Sequence, residues 1–460
     1  MQKLEVRLRQ IPVPELPVEE RIRTFNEVAL GYTEEQALAE SSRCLQCNHP
    51  LCVELCPIHV NIPKFIRLIR LGAYEEAYKV IRERNNLPSI CGRVCPQEML
   101  CAMGCKNTIG DPINIGALER FAADYGLERG IRDLSIKPFT GRSIAVIGSG
   151  PAGLSVAAEL VKNGHHTVIF EALHEPGGVL TYGIPEFRLP KKIVEQEINY
   201  IMKLGVEIKT NIIVGKTITI DDLFEEGFNA VFLGTGAGLP KFLNIPGENL
   251  CSVYSINEFL IRINLMKAYL FPYRSRTPIK VKGKVAVLGA RGMDAARSAI
   301  RLGAEEVYVF YQRRIIGRRD DIRRGVEEGV KLQPLTKPIR IVGNGGWVEG
   351  VELIRLKPIY GAANDSKLIP EPGSEFLYNA GTVIIASKHI PNTIAATNTS
   401  KGIKIAEGRK TIIVNPETLE TTRGIFAGGD VVSGASSVIK AIETGKRAAQ
   451  SIDRYLTGKL

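Results

Sequence analysis

Eight of the nine cysteines fall before residue 110, in two runs whose spacing points to metal chemistry. The first run is Cys44-x2-Cys47-x4-Cys52-x3-Cys56-Pro57; the second is Cys91-x3-Cys95-Pro96-x4-Cys101-x3-Cys105. In a reducing compartment, clustered thiols are poor candidates for disulfides and good ones for metal. Zinc takes four ligands in two close pairs, whereas an iron–sulfur cube takes thiolates from a loop that wraps it and the last one from elsewhere. The Cys-Pro endings favour the cube, and two 4Fe–4S clusters are expected; structural zinc and free core thiols are the competing assignments. In the two-cluster ferredoxin pattern the fourth cysteine of a run serves the other cluster. Cys44, Cys47 and Cys52 then share one cluster, and Cys56 belongs to the second. Cys251 stands alone, where a buried small hydrophobe is the ordinary expectation.

A second constellation begins after Arg142. Ser143-Ile-Ala-Val-Ile147 is an apolar run of strand length, Gly148-Ser-Gly150-Pro151-Ala152-Gly153 follows at once, and residues 154–163 have helical character. Gly164 closes that helix, and His166-Thr-Val-Ile-Phe170 is a second strand ending on Glu171. Each part has a task in binding a dinucleotide. Gly148 makes the tight turn, Gly150 lets the backbone approach a pyrophosphate, and Gly153 lets helix and strand pack closely. The pyrophosphate rests on the helix N-terminus, and Glu171 accepts a hydrogen bond from a ribose hydroxyl. A tight turn without ligand is the bland alternative, although strand, helix, second strand and acid all fall in register. Three later stretches bear on the same site. The loop from Glu175 to Pro185, with Gly177 and Gly178, would run beside a bound dinucleotide. Val231-Phe-Leu-Gly234-Thr235-Gly236 is a strand ending in small residues, and Gly424-Ile-Phe-Ala-Gly428-Gly429-Asp430 is a strand tipped by an acid, with a helix from Ser436 to Arg447. The last of these lies so far along the chain that a domain interrupted by another is expected.

The interrupting stretch opens in the same way. Val285–Leu288 is a strand, Gly289-Ala-Arg291-Gly292-Met-Asp294 leads into a helix, and Val307–Tyr311 is a second strand running into Gln312-Arg313-Arg314 with no acid. Arginines there suit an adenosine 2′-phosphate, so this half is NADP-type if it binds a nucleotide. Arg291 stands where the second glycine belongs and would crowd a pyrophosphate; a retained fold without ligand is the other outcome.

The elements that must position these residues follow from periodicity. Ile62–Gly72 and Tyr74–Glu83 carry apolar residues at spacings of three and four, so helices surround the thiols. The expected class is α/β: a helical N-terminal two-cluster domain, then two Rossmann-like dinucleotide-binding domains, the second inserted in the first. Expected limits are 1–140 for the helical domain, 141–280 with 380–460 for the discontinuous one, and 281–379 for the insert. With 460 residues, 44% hydrophobic and 24% charged, the chain has room for several cores. Its longest apolar runs are of strand length and its first ten residues lack a signal-peptide core, so no membrane insertion and a cytoplasmic location are expected. A balance of 60 Lys and Arg against 49 Asp and Glu gives +11, but no basic block of tail length appears, and nucleic acid is not expected as a partner.

The chain resembles, over nearly its whole length, the family that holds the glutamate synthase small (beta) subunit, the large subunit of NADH-dependent ferredoxin:NADP oxidoreductase and the N-terminal half of dihydropyrimidine dehydrogenase. The resemblance rests on Arg43-Cys-Leu-Gln-Cys47, Gly183-Ile-Pro-Glu-Phe-Arg-Leu-Pro190, Ile245-Pro-Gly-Glu248 and the Gly429-Asp430 helix. It implies two 4Fe–4S clusters, FAD in the discontinuous domain, NADP(H) or NAD(H) at the insert, and hydride exchange at the flavin. Electrons then pass singly to a redox partner subunit, similar to a glutamate synthase large subunit, a flavin/2Fe–2S subunit or another dehydrogenase. It also implies ligand sets of Cys44, Cys47, Cys52 and Cys105 for one cluster, and Cys56, Cys95, Cys101 and Glu119 for the other. Cys91 remains the rival eighth ligand. Phe187 and Arg188 are candidates for framing the isoalloxazine or for plain loop packing, and Asp430 for the flavin ribityl or pyrophosphate region or for a helix N-cap. Two clusters at about −2 each and FAD at about −2 would offset roughly half of the basic excess.

Departures from the family pattern all fall on the pyridine-nucleotide side. The turn from Gly289 to Met293-Asp294 is two residues shorter than the family's Gly-x-Gly-Asn-x-Ala-Met-Asp. Ile315-Ile-Gly-Arg-Arg319 replaces Glu-Met-Pro-Ala, and Ile385-Ala-Ser-Lys388-His389-Ile-Pro391-Asn392 replaces an Ala-Ile-Gly loop. Weakened, altered or lost nucleotide binding is the resulting expectation. Two function classes follow: an NAD(P)H oxidoreductase subunit, or an electron-transfer subunit that keeps FAD and clusters alone.

Overall fold

The computed structural model describes residues 9–107, 110–131, 135–279, 281, 283–313, 320–360 and 366–458. The first part is helical. Helix α1 (Glu34–Ser41) opens on a capping box in which Thr33 Oγ1 accepts from the Gln36 amide and Gln36 Oε1 accepts from the Thr33 amide. Helices α2 (Ile62–Arg70) and α3 (Tyr74–Arg82) bury the apolar faces that their periodicity marks. Helix α4 (Pro88–Val94) carries Cys91 and ends on Cys95. Helix α5 (Ile115–Glu128) crosses α4 so closely that a Cβ on Gly92 would meet Arg120 Cα at 2.7 Å. That crossing sets Glu119 against the cysteine-bearing helix.

An α/β core follows: β1 (Ser143–Ile147), α6 (Pro151–Lys162), β2 (His166–Phe170), α7 (Lys191–Lys203), β3 (Glu207–Lys209) and β4 (Ala230–Leu233). The chain then supplies β5 (Val253–Ser255), β6 (Lys284–Leu288), α8 (Met293–Arg301), β7 (Glu306–Phe310) and β8 (Lys331–Gln333). Strands β9 (Thr336–Asn344), β10 (Trp347–Tyr360), β11 (Ser366–Pro370) and β12 (Phe376–Asn379) precede β13 (Thr382–Ile385). Strands β14 (Glu420–Thr422) and β15 (Ile425–Ala427) and helix α9 (Val438–Leu456) close the chain.

The first sheet runs β14-β15-β4-β1-β2-β3, parallel except for the β14 edge, and aligns Ala145 with Val168 on one side and Val231 on the other. The second runs β5-β13-β6-β7-β8, parallel throughout. It lies, in sequence, between β4 and β15, so one Rossmann-like unit interrupts the other. Strands β9–β12 form an antiparallel sheet of their own, with β12 on β10. No sequence pattern announced this third sheet, because Pro338 and Pro358 and scattered charges interrupt the alternation of its strands.

Two expectations need correction. Strands β5 and β13 belong to the second sheet although they lie outside 281–379. The three half-buried residues of β5 carry no periodicity, and the apolar run of β13 suits either sheet. Leu239–Pro240 pairs antiparallel with His389–Ile390, so the two connections between the units run side by side; we propose that ribbon as the limits of the insert. Cys251, expected in a core, is exposed, because its backbone bridges to Trp347 at the rim of the insert.

A segment before α1 ties the parts together. Arg21 pairs with Glu15 at 2.8 Å and Glu327 at 2.5 Å, Arg301 Nε donates to Thr24 O at 3.0 Å, and the Val28 amide donates to Phe187 O at 3.0 Å. Glu328, buried, accepts from Arg297 and Arg301 at 2.6 and 2.7 Å, so one carboxylate joins two guanidinium groups at this junction.

Candidate functional site

Seven of the eight clustered cysteines and Glu119 sort themselves around two cavities. One is walled by Cys44, Cys47, Cys52 and Cys105 with Ile62, Ile66 and Ile115. The other is walled by Cys56, Cys95, Cys101 and Glu119 with Phe65, Ile62, Ile115 and Ile439. Cys91 is not among the residues lining either. Ile62 and Ile115 serve both cavities, so the two lie back to back. Among the described residues no three His, Cys, Asp or Glu side chains converge on a single ion.

The donor chemistry fits iron. Burial raises the thiols of Cys44, Cys52, Cys56, Cys95 and Cys101, Cys52 to about 12, and neighbouring thiols add to the push at Cys52. Such a set ionises fully only when a cation arrives to take the charge. Two donors are placed for the sulfurs: Gln46 Nε2 lies 3.3 Å from Cys44 Sγ, and the Ile113 amide 3.5 Å from Cys105 Sγ. Glu119 is buried; burial pushes its carboxyl up to about 7, against the pull of the Asn85 amide at 2.8 Å. Gln97 Nε2 donates to its other oxygen at 3.3 Å. Neither amide stands out in the sequence, since neither lies in a motif.

The glycine-rich turn joins β1 to α6. A Cβ on Gly153 would meet Gly148 O at 1.9 Å, whereas nothing lies within 4 Å of the equivalent point on Gly150. That open point, just ahead of Pro151 and Ala152 at the start of α6, is where a pyrophosphate fits. Gly178 brings the following loop to within 2.9 Å of Gly150 Cα, measured from its missing Cβ, and the Gly177 amide donates to Ser149 Oγ at 2.9 Å. Glu171 accepts from the Ser149 amide and hydroxyl at 2.9 and 2.5 Å and from the Leu173 amide at 2.9 Å, which holds its carboxylate at the end of β2. Gly234 lies against Gly153, and Thr235 and Gly236 clasp Asn392 through bonds of 2.5 and 2.9 Å. Gly429 caps a short helix that starts at Asp430, which accepts from the Ser436 amide and hydroxyl; Asp430 is therefore the first residue of that helix and not its cap. Burial pushes the Tyr182 hydroxyl up to about 12, and the charges of Glu171 and Asp430 reinforce this.

At the insert the arrangement differs. Gly289 keeps its left-handed backbone at φ +134°, but Arg291 follows, exposed, and α8 starts only at Met293. Arg313 is exposed at the end of β7; Arg314 and Ile315–Arg319 lie outside the described residues. Arg188 turns to the insert, pairing with Asp294 at 2.5 Å. Phe187 is taken by packing: it is buried beneath the guanidinium groups of Arg297 and Arg301 at 4.6 and 4.0 Å. Sequence inspection also passed over Lys191, whose ammonium donates to the carbonyls of Leu180, Ile184 and Leu189 at 3.1, 2.6 and 2.9 Å and so ties the loop beside the dinucleotide turn.

Known proteins share both halves. Residues 21–131 match the family described as dihydropyrimidine dehydrogenase domain II, 4Fe–4S cluster, and residues 142–445 match the pyridine nucleotide-disulphide oxidoreductases. The chain is 34% identical to the glutamate synthase [NADPH] small chain of Escherichia coli K12, over 98% of each. It belongs to the glutamate synthase small-chain family. Another relative, the NADP(+)-dependent formate dehydrogenase subunit beta of Moorella thermoacetica, is 37% identical over 88% of this chain and 60% of its own length. The fold is also that of Mycobacterium tuberculosis FprA in complex with NADPH, at a TM-score of 0.57 and 18% identity over 70% of this chain and 85% of FprA. This small-chain relative is thus an oxidoreductase of the FAD and NAD(P)H type with a 4Fe–4S domain. No helix among its described residues is long and apolar enough to cross a membrane.

Proposed function

We propose that the chain is a redox subunit that takes a hydride from NAD(P)H, or returns one, and exchanges single electrons with a partner subunit through FAD and two 4Fe–4S clusters. Bound FAD supplies the conversion between two-electron and one-electron chemistry, and clusters carry the single electrons. The observation behind this reading is a continuous line of walls. Ile439, at the start of α9 beside the Asp430 loop, lines the Glu119 cavity; Ile62 and Ile115 line that cavity and the next; Leu45 and Leu51, both exposed, line the outer one. We assign Cys56, Cys95, Cys101 and Glu119 to a flavin-side cluster and Cys44, Cys47, Cys52 and Cys105 to an outer cluster facing the partner. That partner carries its own redox centre, as relatives named for glutamate synthase and formate dehydrogenase suggest.

The test is Cys47→Ala with Cys52→Ala in anaerobically reconstituted protein. Iron falls by about half, NADPH still bleaches the flavin, and reduction of a viologen dye through the outer face falls at least about tenfold. Dye reduction at the unmodified rate would take the outer cluster off the route. A second reading keeps FAD and clusters as a wire between two other subunits, without nucleotide. Arg291 in the shortened turn is what favours it. Anaerobic titration with NADPH and NADH separates the two, since rapid stoichiometric bleaching of the flavin by either excludes the wire alone.

A further inference from the structure

Glu119 and Cys91 are rivals for one coordination position, and both are bound to the same side chain. Asn85 is fully buried in the turn between α3 and α4, where its own amide donates to Ile81 O at 2.9 Å. Its Oδ1 accepts from the Leu87 amide at 3.0 Å. A backbone N–H can only donate, so this bond decides which end of the Asn85 amide is oxygen. Nδ2 must then face Glu119, and it donates to Oε1 at 2.8 Å. The same Oδ1 faces Cys91 Sγ at 3.7 Å, where the thiol proton is the donor. One buried amide thus holds the carboxylate by its nitrogen and the thiol by its oxygen.

The second carboxylate oxygen is held as well. Gln97 donates to Oε2, and Gly116 leaves room for that side chain, since a Cβ there would lie 2.1 Å from Gln97 Oε1. A carboxylate oxygen with one amide bond keeps a lone pair for iron. Glu119 lines the cavity in this arrangement and Cys91 stands behind it.

We propose that Asn85 is a positioning residue that assigns the eighth cluster ligand, holding the Glu119 carboxylate on the cavity and keeping the Cys91 thiol in reserve. This rests on the reading of Glu119 as ligand. Outer-shell partners of this kind orient the ligand and set the electronic character of the metal site. Asn85→Leu keeps the branching and the number of side-chain heavy atoms, removes both bonds, frees the carboxylate and releases the thiol to take its place.

The test uses the reconstituted full chain, with iron content, the EPR spectrum of the reduced flavin-side cluster and its midpoint potential as readouts. Asn85→Leu keeps its iron but shows a changed EPR spectrum and a shifted potential. Asn85→Leu with Cys91→Ser loses about half the iron, and Cys91→Ser alone matches the unmodified protein. Should Asn85→Leu fail to fold, Asn85→Ser reads the same loss, because a serine hydroxyl still accepts from the Leu87 amide but falls short of Glu119. An unchanged spectrum in the Asn85 variants, or loss of half the iron without the Cys91 change, overturns the proposal. Glu119→Ala checks the parent reading separately: an unmodified spectrum there means that Glu119 is not a ligand, whatever Asn85 does.

Discussion

At the first βαβ turn, α6 begins at Pro151 and Gly153 lies within its opening turn; at the second, α8 begins at Met293 and Gly292 is its cap. The outer glycines answer the same packing demand in both. A Cβ on Gly148 would meet Gly234 O at 2.6 Å, and one on Gly289 would meet Ala386 O at 2.2 Å. A Cβ on Gly292 would lie 2.2 Å from Val287 Cγ1, as one on Gly153 would crowd Gly148 O. The middle position separates them. Gly150 faces open space, and the second turn has Arg291 and two residues fewer. Strand and helix need the first and last glycine; only a ligand needs the middle one. The insert therefore keeps the two glycines that folding requires and carries an arginine at the position between them.

The largest effect that would test this contrast comes from charge at the open point. Gly150→Asp adds a side chain where no atom interferes, so the apo fold and its melting temperature stay unchanged. A unit charge about 4 Å from a phosphate costs about 4 kcal/mol at the effective dielectric of a protein surface, so FAD affinity falls more than about a hundredfold. Dialysis followed by flavin absorbance measures it; retained FAD would mean the pyrophosphate lies elsewhere. Next come the packing glycines. Gly153→Ala and Gly292→Ala each overpack a strand–helix contact and lower the urea midpoint by the equivalent of about 1–3 kcal/mol. Only Gly153→Ala also sheds FAD, and equal FAD loss in both would break the contrast.

The first turn was legible because its demands are local. Ser143–Ile147 and His166–Phe170 are apolar runs bounded by Arg142, Gly148, Gly164 and Glu171, and the structure forms strands over those residues. Thiol spacing was equally informative, since loops that wrap a cube leave a counted pattern. What escaped is tertiary. Asn85, Gln97 and Glu119 meet only because α4 and α5 cross, and no periodicity encodes a meeting of three polar residues from three segments. Phe187 could frame a flavin or fill a core, and the arginines that capture it lie over a hundred residues away in the insert. The short strand β5 is set by its neighbour β13, not by its own composition.

A smaller effect separates side chain from length at the second turn. Arg291→Gly opens the turn without restoring the two missing residues. If the guanidinium is the obstacle, NADPH affinity rises about tenfold with FAD content unchanged, read by calorimetry on the holoprotein. Unchanged affinity assigns the difference to the shortened turn, and restoring both residues together with the glycine becomes the decisive variant.

The smallest effect concerns the loop between the two turns, which the Lys191 ammonium ties through three carbonyls. Burial lowers its pKa to about 8, with Glu186 and Asp294 opposing that shift and Lys267 adding to it. Between about pH 8 and the ordinary lysine value near 10.4, the unfolded chain keeps this proton and the folded chain releases it. Stability then rises with pH across that window, because the unfolded state binds more protons. From pH 7 to 9 the gain is about 1 kcal/mol. The same deprotonation removes the charge and leaves two N–H groups for three carbonyls, so the loop beside the dinucleotide turn loosens and FAD is held less tightly while the fold grows more stable. Lys191→Met flattens both trends. A urea midpoint that follows the same course in the variant and the unmodified protein would assign the titration to another group, and FAD retention independent of pH would free the loop from Lys191.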